Sequence, residues 1–207
     1  MTRIVICRHG NTFDKGDVIT RVGARTDIPL SISGIDQARG LAAHFKSQYS
    51  GFNFTRSFCS PLLRTYQTAD FILTESHKVS DLQVLEFLTE IDYGVDENKP
   101  EEDVIARLGQ EAITRWDEDA IPPEGWDVNP AALIQSWKNF LSEQGSADDD
   151  VLVVTSNGIA RFALDAVDEV ATDAPRKLRT AAYGIIEIKN GNTKLTAWDS
   201  RPPKQGY

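Results

Sequence analysis

The tripeptide Arg8-His9-Gly10 closes an apolar run near the N-terminus and holds residue types that phosphoryl chemistry needs. A histidine attacks phosphorus when its ring is neutral, aimed in line with the leaving group, and flanked by positive charge for the phosphoryl oxygens. Arg8 supplies one such cation, and Gly10 lets backbone approach closely. Taken alone, an arginine beside a histidine is more often a surface or capping feature. The assignment of His9 as a nucleophile therefore rests on what the rest of the chain carries to the same place.

The elements that must position it are legible as alternating strands and helices. Arg3-Ile4-Val5-Ile6-Cys7 is a continuous β-prone run, the pattern of a buried parallel strand, and it delivers the tripeptide at its C-terminal end. Ligands bind at that end in open α/β sheets. Ile35, Ala38, Leu41, Ala42 and Phe45 have the spacing of an amphipathic helix after Ser33-Gly34. Phe58-Cys59-Ser60-Pro61 reads as a strand entering a helix over about 61–74, with proline in its first turn. Val84 to Phe87 and Val151 to Thr155 read as further strands, the latter followed by a helix over about 157–169. A hairpin of Ala182–Ile188 and Lys194–Trp198 ends the series. The expected fold is a three-layer α/β/α sandwich, its sheet mostly parallel with an antiparallel edge.

A 207-residue chain suits one domain, here 1–207, with residues 95–130 as an acidic helical insertion or lid. That segment carries Pro100, Pro122, Pro123 and Pro130 around a helical stretch at about 101–119. Its start, Asp96 to Asp103, reads as a solvated loop and an acid-rich helix N-terminus, with Arg107, Arg115, Trp116 or Trp126 as the residues to touch a ligand if it is a lid. Trp137 and Phe140 read as core.

Between residues 60 and 69 the chain reads Ser-Pro-Leu-Leu-Arg-Thr-Tyr-Gln-Thr-Ala. With Arg8-His9-Gly10-Asn11-Thr12 before it, this segment resembles the histidine phosphatase superfamily, also called phosphoglycerate mutase-like. Asp27-Ile28-Pro29-Leu30-Ser31, Gly34 and Gln37-Ala38 fall at the matching spacing, so the resemblance covers most of the chain. It implies that His9 is phosphorylated and that Arg8 and Arg64 grip the phosphoryl group, a task suited to planar guanidinium forks. It further implies that Asn11, Thr12 and Arg21 line the pocket, and that Glu90 in Leu88-Thr89-Glu90-Ile91-Asp92-Tyr93-Gly94 is the proton donor. Glu86 and Asp92 are its competitors: the first fits a solvated strand position, the second a turn or ion pair.

The resemblance departs at one position. Val153-Val154-Thr155-Ser156-Asn157-Gly158 falls where family members carry a second catalytic histidine, and this chain has Ser156 and then Asn157. The other histidines, His44 and His77, lie elsewhere in the pattern. Loss of one preorganised donor commonly costs about 10²–10³ in rate. Ser156, Asn157 and free N–H groups at the following helix start are the expected replacements. Two readings follow: a phosphatase for a phosphate monoester, with reduced or altered catalysis, or a catalytically weak pseudoenzyme that binds a phosphorylated ligand or partner. A phosphoglycerate mutase is a third.

Composition narrows the partners. The net charge of −9 opposes nucleic-acid binding, which depends on basic residues releasing counterions. With 41% hydrophobic and 26% charged residues the chain has an ordinary soluble balance, and no apolar run reaches the ~20 residues that span a bilayer. The opening MTRIVICRHG has no signal-type core, so the cytoplasm is the expected compartment. Cys7 and Cys59 read as buried hydrophobes, and no metal cluster or cofactor motif stands out. The expected partner is a small phosphate ester, with no nucleic acid, membrane, metal or cofactor.

Overall fold

The computed structural model describes residues 1–47, 51–75, 81–145 and 148–202. Its centre is β1 (Thr2–Arg8), which pairs in parallel with β4 (Asp150–Thr155) on one side and antiparallel with β6 (Tyr183–Lys189) on the other. Outward from β4 lie β2 (Phe54–Cys59) and β3 (Leu82–Val84), both parallel. Outward from β6 lie β7 (Asn192–Ser200) and the two-residue β5 (Glu169–Val170). The seven-stranded sheet thus has the order β3-β2-β4-β1-β6-β7-β5, mostly parallel with an antiparallel edge, as expected.

Strand alternation sorts the core into two halves. Ile4 and Ile6 of β1 join Val151 and Val153 of β4 on one face, where Trp137, Phe140 and Leu141 of α5 (Pro130–Gln144) cover them. Val5 and Cys7 join Leu152 and Val154 on the other face, under Leu41 and Phe45 of α1 (Ile32–Lys46) and Ile72 of α2 (Leu63–Glu75). Both cysteines are buried and unlinked. Burial on both faces explains why the central strands are uninterrupted apolar runs rather than alternating ones.

Helix α1 starts at Ile32, so Ser33-Gly34, expected to precede it, lie in its first turn. Ser31 caps it, its side chain accepting from Gly34 N–H, and the Asp14 carboxylate accepts from the N–H groups of Ile32 and Ser33. Four further expectations shift. Pro61 precedes α2 instead of sitting in its first turn. The strand expected at Val84 to Phe87 is β3, ending at Val84, followed by a 3₁₀ turn at Glu86–Leu88. The helix expected over 101–119 is two, α3 (Glu101–Leu108) and α4 (Gln110–Asp119), separated at Gly109, whose φ of +82° no other residue adopts easily. The helix expected over 157–169 is one turn, α6 (Asn157–Ala160), tightening to 3₁₀ at Arg161–Asp165. There Arg161 bonds Trp116 O and Asp165 pairs with Arg176, tertiary bonds that outweigh helical propensity.

Residues 95–130 are less solvated than their acidity suggests. Val104, Ile113, Trp116 and Trp126 belong to the main core cluster. Asp96 is buried and accepts from Arg107 Nε and Trp126 Nε1, both at 2.7 Å, which corrects its reading as a loop carboxylate. Glu101, Glu102 and Asp103 do occupy the first turn of α3, where the helix dipole favours them.

The loop after β1 lies against the start of α1 through two glycines. A Cβ on Gly34 would stand 2.0 Å from Asn11 O, and one on Gly10 would stand 2.4 Å from Gly34 O. Gly34→Ala should therefore destabilise the protein by about 1–3 kcal/mol in urea unfolding, the usual cost of forcing atoms into packed space. A change under about 0.5 kcal/mol would show that the loop yields freely.

Candidate functional site

His9 follows β1 directly, at the C-terminal edge where β1, β2 and β4 end in register. The ring is buried, with Nδ1 2.7 Å from the Gly10 carbonyl oxygen. A carbonyl only accepts, so Nδ1 carries the proton and Nε2 keeps its lone pair. Burial first, then the charges of Arg64 and Arg8, hold His9 well below the ordinary imidazole range, and the Gly10 bond offsets this in part. The ring is thus neutral, with a fixed tautomer and a free lone pair on Nε2.

Arg8 is anchored by Nη1 donating to Leu178 O at 2.9 Å, and Arg64 by donation to Thr26 O and Gly23 O. Burial lowers both from the usual guanidinium range and Glu90 counters it, so they remain cations. Their Nε–H groups, with that of Arg21, are buried and have no partner among the described residues. Orphaned buried donors are costly, and an oxyanion would satisfy them. Arg21 also pairs with Glu101 and lies 5.3 Å and 5.1 Å over the rings of Tyr93 and Trp126.

A cavity of about 510 Å³ brings together Arg8, His9, Asn11, Thr12, Arg21, Arg64, Glu90 and Asn157. Glu90 is buried, and its carboxylate accepts from Ile91 N–H at 2.9 Å and Gly158 N–H at 3.2 Å. Its competitors lie outside the lining: Asp92 pairs with Arg25 at 2.8 Å, and Glu86 opens a 3₁₀ turn. Asn11 is tied down, with its N–H on Gln37 and its Nδ2 on Ser33 Oγ.

Ser156 is fully buried, outside the cavity lining, and its Oγ has no partner among the described residues. Asn157 accepts from Leu178 N–H at 2.8 Å, which leaves its amide donors for a ligand. The helix start expected to offer free N–H groups is partly committed, because Gly158 N–H serves Glu90. His44 is bonded to Tyr183 Oη at 2.9 Å, away from the cavity, and His77 lies outside the described residues.

A family model described as the Histidine phosphatase superfamily (branch 1) matches residues 4–201. The chain belongs to the histidine phosphatase superfamily. It is 39% identical over 100 residues to the fructose-2,6-bisphosphatase TIGAR of Mus musculus, a match spanning 47% of this chain and only 35% of that protein. It is 26% identical over 187 residues to a 2,3-bisphosphoglycerate-dependent phosphoglycerate mutase of Actinobacillus succinogenes, covering 88% and 80% of the two chains. The crystal structure of a phosphoglycerate mutase from Bacillus anthracis superposes with a TM-score of 0.76 at 19% identity, over 96% of this chain and 92% of that one, a likeness of fold.

Several wall residues of the cavity carried no sequence signal. Lys177 and Thr180 line the cavity from the loop before β6. Because β6 runs antiparallel beside β1, with Tyr183 opposite Cys7, its leading loop is brought to the edge where β1 ends. Tyr93, Glu101 and Asp117 also line it. Of the lid residues singled out, Trp116 reaches the cavity, whereas Arg107 is spent on Asp96, Trp126 packs on Tyr93 and Trp116, and Arg115 is not in the lining.

A folded His9 that resists protonation makes stability depend on pH. Below about pH 6.5 the unfolded chain binds a proton on this ring and the folded one does not, so stability is full above that pH and is lost as pH falls. The slope reaches about 1.4 kcal/mol per pH unit for one such group. Urea unfolding of His9→Asn should show a shallower loss between pH 7 and 5 than the wild type. Parallel curves would mean that folded His9 protonates normally.

Proposed function

We propose that this chain is a phosphatase that hydrolyses a phosphate monoester through a phosphohistidine on His9. The observation that carries this reading is a neutral, tautomer-fixed His9 between two arginines whose buried Nε–H groups lack partners. Nε2 attacks phosphorus while Glu90 gives its proton to the departing alcohol oxygen, so the P–O bond breaks as the N–P bond forms. Glu90 then takes a proton from water, which attacks phosphorus, releases inorganic phosphate and returns His9 to its starting form. Arg8 and Arg64 hold the phosphoryl oxygens throughout.

Ser156 stands in this reading where the family's second histidine is expected; its uncommitted Oγ lies outside the cavity lining, so the Asn157 amide is the neutral donor that reaches the ligand. Resemblance to both phosphatases and mutases supports phosphoryl chemistry on this scaffold without choosing the acceptor. Water as acceptor needs no phosphorylated resting state, and a chain that interconverts phosphoglycerates would overturn that choice. The fold and the family place no constraint on compartment, for which we keep the cytoplasm as our reading.

A panel of sugar phosphates, phosphoglycerates, nucleotides and phosphopeptides tests the function. His9→Ala should abolish turnover of whichever ester the wild type hydrolyses, with an unchanged circular dichroism spectrum. Retained turnover would remove His9 as nucleophile, and a wild type inert on every ester while binding them would favour the pseudoenzyme.

Ser156→Ala tests whether the buried hydroxyl also takes part. That hydroxyl bonds nothing among the described residues, so its removal should change stability by less than about 1 kcal/mol. The variant should nevertheless lose roughly tenfold or more in kcat/KM if the hydroxyl serves the phosphoryl group. Unchanged kinetics would exclude Ser156 from the site.

A further inference from the structure

Two ion pairs line the cavity beside the residues assigned to the phosphoryl group. Arg21 pairs with Glu101 at the first turn of α3, and Lys177 pairs with Asp117 of α4 at 3.2 Å. Each joins a loop at the sheet edge to a helix of the 95–130 segment, and all four residues line the cavity. Trp116, Tyr93, Ile19 and Val22 contribute apolar and aromatic surface to the same cavity. Asp117 is held twice, since Arg161 Nη2 lies 3.8 Å from it.

The charge of the lining follows directly. Arg21 cancels Glu101 and Lys177 cancels Asp117, which leaves Arg8 and Arg64 against Glu90, with His9 neutral. The lining therefore carries +2 − 1 = +1, or +2 while Glu90 holds the proton it donates. One phosphoryl dianion consumes that charge entirely. A second anionic group would meet Glu101 and Asp117, whose cations are paired with them, and would find only the Nε–H of Arg21 uncommitted.

We infer that the site takes phosphate monoesters whose remainder is uncharged, and that Glu101 and Asp117 exclude esters bearing a second anionic group. The inference rests on the phosphatase reading for the orientation of the substrate. It makes specificity depend on repulsion as well as fit, because breaking either ion pair in a partly buried wall has to be offset by the new contact.

Racemic glycerol 3-phosphate and racemic 3-phosphoglycerate share a three-carbon skeleton and differ in a hydroxymethyl against a carboxylate. The wild type should favour glycerol 3-phosphate in kcat/KM by about tenfold or more, the scale of one unpaired charge near other charges. Calorimetry on His9→Ala, which removes hydrolysis, should give the same order of Kd. Asp117→Asn and Glu101→Gln should each narrow the preference by about threefold or more, chiefly through KM for 3-phosphoglycerate. A wild type that handles both esters equally, or folded variants of both residues that keep the wild-type ratio, would overturn the inference. Absent turnover with the binding preference intact would instead sink the phosphatase reading and uphold the charge rule.

Discussion

The hydrogen bond from His9 Nδ1 to the Gly10 carbonyl is the interaction on which the site depends. It settles which ring nitrogen is free, and it does so with an acceptor that cannot itself take the proton away. Without it, a buried imidazole between two guanidinium groups would have no reason to face one way. The bond exists because β1 ends where it does, pinned by parallel pairing with β4 and antiparallel pairing with β6. Gly10 then lets the loop turn against Gly34 at the start of α1, in space that a Cβ would fill. A short run of apolar residues and two glycines thus produce a neutral imidazole with a defined lone pair.

Around that ring the protein keeps its charges in separate accounts of geometry. Arg8 and Arg64 are anchored by their Nη groups to backbone carbonyls, which leaves the buried Nε–H groups for a ligand. Glu90 is anchored by two backbone N–H groups, one of them from α6, the turn that follows β4. Backbone anchors hold the catalytic groups in place without neutralising them by ion pairing. Arg21 and Lys177, also in the lining, are instead matched to carboxylates from α3 and α4.

How much of this was legible in the sequence depended on whether the cause was local. Arg8, His9 and Arg64 sit beside strand ends and helix starts with clear apolar patterns, so both their identity and their position could be read. The break between α3 and α4 was also local, at Gly109, but a single glycine in a helical pattern is ambiguous until its φ is known. The shortness of α6 was not local: Arg161 reaches Trp116 and Asp117 across the chain, and no periodicity announces that. Lys177 and Thr180 enter through the antiparallel direction of β6, a property of the sheet rather than of their own neighbourhood. The burial of Asp96 was hidden for the same reason, since its partners are Arg107 and Trp126.

In the proposed reaction His9 acts through Nε2 because Nδ1 is committed to Gly10. Acid-sparing quench of the protein during turnover of a ³²P-labelled phosphate ester, followed by peptide mapping and discrimination of the two phosphohistidine isomers, tests it directly. The account requires label on His9, on Nε2, that decays in acid and survives base. Label on Nδ1, or on another residue, or turnover with no labelled protein at any quench time, would contradict it.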